Sequence, residues 1–210
     1  MMRSKTRWMP AGLMALVVLG AVAVFDVAPA TPVAAPSVVS TVSDPVGDAN
    51  FNAPAFQDVV FVQFTETASG DFRLLMEMAG PVPVNPPLPP PGSSEIHWVW
   101  NFDLDPTTFP AGYPYLKAKG PAEFTVYVSW DGTEFAGTAV DRRPLLTGGE
   151  AIMTPVTFSL DGTTVQADLA YPLVGAVPPS FGWFAGTSAW SGPVGLSEGH
   201  HLVDVASSSP

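Results

Sequence analysis

Two runs of oxygen-bearing side chains could hold a hard cation. The first is Asp44-Pro45-Val46-Gly47-Asp48, with Asp58 ten residues further on. The second is Asn101-Phe102-Asp103-Leu104-Asp105. Asn101, Asp103 and Asp105 are spaced i, i+2, i+4, so on a strand their side chains leave one face together. Three such groups repel at neutral pH unless a cation or water separates them. Calcium takes six to eight oxygens at about 2.4 Å, and a loop bearing Asp44, Asp48 and Asp58 would complete such a shell. The competing reading is ordinary turn chemistry, in which Asp bonds its own backbone, Gly takes positive φ and the carboxylates stay solvated. The spacing lacks the EF-hand pattern.

A second constellation is aromatic. Trp183 and Trp190 lie in the Gly/Ser-rich stretch Phe181-Gly-Trp-Phe-Ala-Gly-Thr-Ser-Ala-Trp190, and Tyr113 and Tyr115 follow Asp105. Exposed rings beside small polar residues stack on sugar rings, which makes these four the candidate ligand contacts; core packing is the alternative for each. Trp98, Trp100 and Trp130 sit on alternating apolar faces and read as core. His97, His200 and His201 lack zinc-site spacing, and adjacent histidines on a strand diverge, so they read as surface imidazoles. There is no cysteine nucleophile, no Gly-x-Ser-x-Gly elbow and no phosphate-cradling loop. Paired carboxylates of a glycosidase type occur in any acidic chain and carry no specific signal. Catalysis is not expected.

The elements that must position these groups are strands. Twenty-four prolines and nineteen glycines punctuate the chain, and short apolar/polar alternation recurs between them. Val59–Thr65, Phe72–Met78, Trp98–Leu104, Phe124–Trp130, Val156–Leu160 and Val165–Leu169 each show it, with Gly182–Ser188 and Leu202–Val205 completing the set. Asp131-Gly132 and Asp161-Gly162 mark hairpins, the first as a two-residue turn. Pro81–Gly92 reads as a loop with little capacity for ladder bonds, and Leu173–Val177 as one helical turn between prolines. Eight or nine half-apolar strands predict an all-β, two-sheet antiparallel β-sandwich of jelly-roll or immunoglobulin-like type; a closed β-barrel is the alternative.

The N-terminus addresses the chain for export. Arg3, Lys5 and Arg7 precede an apolar run from Ala11 to Phe25, and Ala28-Pro29-Ala30 offers a cleavage site. That run is shorter than the roughly 20 residues a membrane span needs. Residues 1–30 are therefore expected to be a signal peptide, 31–40 a flexible Ala/Pro leader, 41–206 the sandwich and 207–210 a disordered tail. Losing three cations and one acid with the signal takes the formal charge from −11 to −13. Such a chain excludes nucleic acid, whose binding depends on clustered Lys and Arg. An exported chain without cysteine must rely on an ordinary core or on bound ions.

In order, Asp44-Pro-Val-Gly-Asp48, Asp58-Val-Val, Trp100-Asn-Phe-Asp103-Leu-Asp105 and Val203-Asp204-Val-Ala resemble secreted domains related to family 9 carbohydrate-binding modules and DOMON-like sandwiches. The resemblance spans roughly residues 41–206 and implies a two-sheet sandwich with calcium near the chain ends, which adds Asp204 to the candidate ligands. The resemblance implies sugar binding as in some members, and the expected partner is a polysaccharide or a cell-envelope component. The expectation is thus a secreted, non-catalytic binding module with structural calcium. The alternative is a structural or protein-interaction domain of the cell envelope that takes no small ligand.

Overall fold

The structure, a computed structural model, describes residues 37–88, 93–104, 122–170, 182–190 and 200–208. Chain contacts divide the sequence after Pro32, and all of these residues belong to the second unit. The signal, most of the leader and the Leu173–Val177 turn lie outside them, as do Asp105, Tyr113 and Tyr115.

Among the described residues, eleven strands form two antiparallel sheets. They are β1 (Ser37–Ser43), β2 (Val59–Glu66), β3 (Phe72–Met78), β4 (Glu95–Asp103), β5 (Phe124–Trp130), β6 (Phe135–Asp141), β7 (Ile152–Pro155), β8 (Thr157–Asp161), β9 (Thr164–Leu169), β10 (Gly182–Trp190) and β11 (His200–Ser208). One sheet has the order β1-β2-β3-β9-β8, the other β11-β10-β4-β5-β6-β7. Each sheet keeps two edges, so the fold is a sandwich and not a closed barrel. The count exceeds the expected eight or nine because β1 and β7 carry no alternating large apolar residues. Ser37–Ser40, assigned to a flexible leader, are part of β1, and β11 runs two residues into the expected tail.

Alternation works as the pleat requires. Phe72, Leu74, Met76 and Met78 of β3 turn inward, as do Ile96, Trp98, Trp100 and Phe102 of β4 and Phe124, Val126, Val128 and Trp130 of β5. Phe64 stacks on Phe72 at 5.0 Å and tilts against Phe102 at 5.4 Å, which joins the two sheets. The Trp98 indole donates to the Phe56 carbonyl at 3.2 Å, so a short 3-10 turn, Ala55–Gln57, caps this end of the core.

The two hairpins differ. Thr164 pairs with Asp161, leaving a two-residue loop. Phe135 pairs with Trp130, so the Asp131 loop has four residues, not the two expected. Asp131 explains the extra length: its Oδ1 accepts from the backbone of Thr133 and Glu134 and from the Thr133 hydroxyl. Those bonds, the Thr133 hydroxyl foremost, hold its carboxyl below the usual carboxylate range.

Candidate metal centre

β1 ends at Ser43, and the Asp44 amide still donates to the Val60 carbonyl at 3.0 Å, which anchors the start of the next loop beside β2. Pro45 and Gly47 then turn the chain. Gly47 sits at φ +86°, a conformation that L side chains rarely adopt. That geometry points its amide at Asp58 Oδ2, 2.8 Å away. Asp58 is buried, and its other oxygen has no hydrogen-bond partner among the described residues.

The third contributor arrives from the far end of the chain. Asp204 on β11 pairs with Thr187 of β10 at a register shift, and Thr187 pairs with Trp98. This row faces inward, so the Asp204 carboxylate reaches across to the other sheet, where Oδ2 accepts the Val59 amide at 2.6 Å. It is buried. One oxygen each from Asp44, Asp48 and Asp204 then lies within 4.8 Å of the others. Two unit charges that close repel by about 3.5 kcal/mol at an effective dielectric of about 20. A sphere of calcium–oxygen radius about 2.4 Å spans the same distance. Three carboxylates with no nitrogen or sulfur select a hard cation such as calcium, magnesium or manganese.

Not every expected ligand joins. Asp58 fixes the turn through Gly47 and is outside the trio. Asn101 and Asp103 share a face as their spacing requires, but it is the wrong one: on β4 it is opposite to Trp98 and Trp100, so it turns away from Asp204. Asp103 is also five residues along β4 from Trp98, or about 16 Å at strand rise. Asn101 is committed elsewhere, accepting the Thr125 hydroxyl at 2.8 Å. The aromatic set also needs correction. Trp183 is buried in the core and offers no surface to a ligand. The backbone of Trp190 lies on β10 opposite Glu95 and His200; its side chain is outside the described residues.

What the sequence reading missed lies on the outer face of the six-stranded sheet. His97 is not a plain surface imidazole. Its Nε2 sits 2.6 Å from Glu95 Oε2, and its ring stacks on Tyr127 at 5.1 Å, nearly parallel. Burial pushes the Tyr127 hydroxyl above its ordinary range, with the Glu95 charge adding to it and the Thr138 and Arg142 side chains opposing. Beside them the Arg142 guanidinium donates to Thr125, which donates to Asn101. Thr125, Asn101 and Glu123 are buried although they face away from the core. Glu95-x-His97 on the polar side of a strand was the available signal; the partners from β5 and β6 were not predictable from spacing.

No family model matches the chain, nor does any curated protein or solved structure. The functional reading therefore rests on the geometry.

Proposed function

We propose that the protein is an exported, non-catalytic binding module whose sandwich is stapled by a divalent cation, calcium by preference, with a saccharide as its ligand. The observation that carries the cation is the meeting of Asp204 with Asp44 and Asp48: Asp204 is on β11, remote in sequence from the other two, which sit in the loop after β1, and β1 and β11 are edges of different sheets. A buried carboxylate such as Asp204 is costly unless it is paired or coordinates a metal. The buried Asp58 oxygen next to the same turn supports a polar occupant there. Export and the resemblance to family 9 carbohydrate-binding and DOMON-like domains agree with this reading, since extracellular calcium stands near 1–2 mM and such modules bind it at about 10⁻⁴ M. Occupancy at those values adds roughly 1.5–2 kcal/mol to folding stability.

Thermal unfolding in 2 mM calcium and after chelation tests the reading. We expect the midpoint to fall on chelation by several degrees and to recover with added calcium. A midpoint that is the same in both conditions, together with no calcium heat in calorimetry, would remove the cation from the proposal.

A further inference from the structure

The sandwich has four edge strands, β1 and β8 on one sheet and β11 and β7 on the other. An open edge is a template for a further strand, and proteins guard it with charge, proline or cover. The least guarded is β7. Its Ile152 and Met153 are 54% and 59% exposed, and no other edge shows an exposed large hydrophobic among the described residues. Leu146, also exposed, lies in the 3-10 turn that precedes it. From Ala151 to Leu160 the chain holds no charged residue.

The ladder decides what this edge accepts. The Val156 amide donates to the Gly137 carbonyl at 3.0 Å, and the register runs on as Pro155 with Thr138, Thr154 with Ala139 and Met153 with Val140. In an antiparallel pair, residues that exchange both bonds alternate with residues that exchange none. Val156, Thr154 and Ile152 therefore bond to β6, while Met153 and Pro155 aim their backbone groups at the open edge. The proline stands where its missing amide takes nothing from the sheet. Met153 presents both a donor and an acceptor.

We propose that β7 is a self-association strand, on which a second copy of this chain pairs antiparallel about a two-fold axis at Met153. The Met153 amide of each copy then donates to the Met153 carbonyl of the other, and the two exposed side chains cover one another. Ala151 comes opposite Pro155 of the second copy, so the absent amide falls at the rim of the pairing. A central residue that is complementary to itself suits a copy of the same strand. Charge agrees. Residues 141–161 carry two arginines against three acids, nearly neutral in a chain of formal charge −11, so two copies repel less there than over the acidic remainder. The contact uses the same patch on both copies and consumes the edge, so it closes at the dimer. It depends on neither the cation nor a ligand.

Sedimentation equilibrium of the calcium-loaded protein from about 1 μM to about 1 mM tests the pairing. A four-residue edge falls below the standard interface of about 1,200–2,000 Å², so the dimer is a weak one. We expect a monomer–dimer equilibrium within that range, unchanged after chelation and tightened by salt, which screens the repulsion between two acidic copies. Met153→Glu sets like charges directly opposite and removes the apolar contact, and should weaken the dimer about tenfold or more. Thr41→Glu puts the same charge on the exposed face of edge β1 and should leave it within about twofold, as distant sites act independently. Met153→Pro removes the two central donors without touching the β6 ladder and should abolish the dimer. Where Met153→Pro fails to fold by thermal melt, Met153→Glu alone decides. A protein that stays monomeric at the highest concentration overturns the proposal. So does a dimer that survives the Met153 changes, responds equally to Thr41→Glu, weakens with salt or is lost with calcium.

Discussion

The two long sides of the sandwich solve one problem in opposite ways. On one side the edge strands β7 and β8 belong to different sheets but are consecutive in the chain, joined by Val156 alone. Peptide bonds make that crossing, and the Val156 amide is tied to Gly137 of β6 at 3.0 Å. On the other side the edges β1 and β11 come from opposite ends of the domain, and carboxylates bridge them. The first closure is covalent and close-packed, and it is indifferent to solvent composition. The second is made of like charges, so its strength is set by what ion or proton is present. A sandwich of this kind is conditional on one side only.

The largest effect should come from Asp204. Asp204→Ala removes the acceptor for the buried Val59 amide and one proposed cation ligand together. Leaving a buried group unmatched costs about 1–3 kcal/mol, and the lost cation adds its share, so a total near 3 kcal/mol is expected from denaturant melts. Asp204→Asn separates the two contributions. It keeps an acceptor oxygen while removing a charge from the trio, so the chelated midpoint should hold or rise while the calcium response mostly disappears. A full calcium response in Asp204→Asn would place the ion elsewhere.

Gly137→Ala probes the opposite side. A Cβ built there would lie 2.6 Å from the Val156 carbonyl oxygen and 2.9 Å from the Phe158 ring. The nearest atom is backbone and cannot swing away, so a destabilisation of about 1–3 kcal/mol is expected, in the range of overpacked cores. The calcium-induced shift should be unchanged in this variant. A Gly137→Ala melt equal to wild type would show that the crossing is looser than its contacts imply; a lost calcium response would show that the two sides are coupled.

The contrast also explains what could be read from the sequence. Strand alternation in Phe72–Met78, Trp98–Leu104 and Phe124–Trp130 was legible because inward and outward positions differ in residue type at period two. The strands β1 and β7 were not legible: Ser37–Ser43 and Ile152–Pro155 lack that contrast, because edge strands need little burial. Within the candidate metal centre, Asp44 and Asp48 were legible as a cluster of carboxylates around one short turn. Asn101 and Asp103 had equally good spacing but lie on the outward face, and spacing within one strand cannot say which face meets which distant loop. That information resides in the pairing of β10 with β4 and β11, which brings Asp204 inward beside Val59. The Trp183 assignment failed for a related reason: small neighbours around an aromatic suit a close-packed strand as well as an exposed loop.

The smallest effect concerns protons at the end of the covalent side. Asp141 closes β6, paired with Ile152 of β7. Burial pushes its carboxyl up, but the Arg143 guanidinium and amide both donate to it and together hold it below the ordinary range. A depressed folded value means the unfolded chain binds the proton more readily. Stability from this pair is therefore full above the ordinary carboxylate value of about 3.9 and is lost as pH falls through the lower folded one. Half-exposed ion pairs contribute about 1 kcal/mol or less, so the signal is a shallow acid limb. Asp141→Asn should flatten that limb by the same amount with calcium present or chelated, because no ion is involved on this side. Melts of Asp141→Asn between pH 6 and about 3, with and without chelator, check this, and a change that depends on calcium would mean that Arg143 and the trio share one electrostatic system.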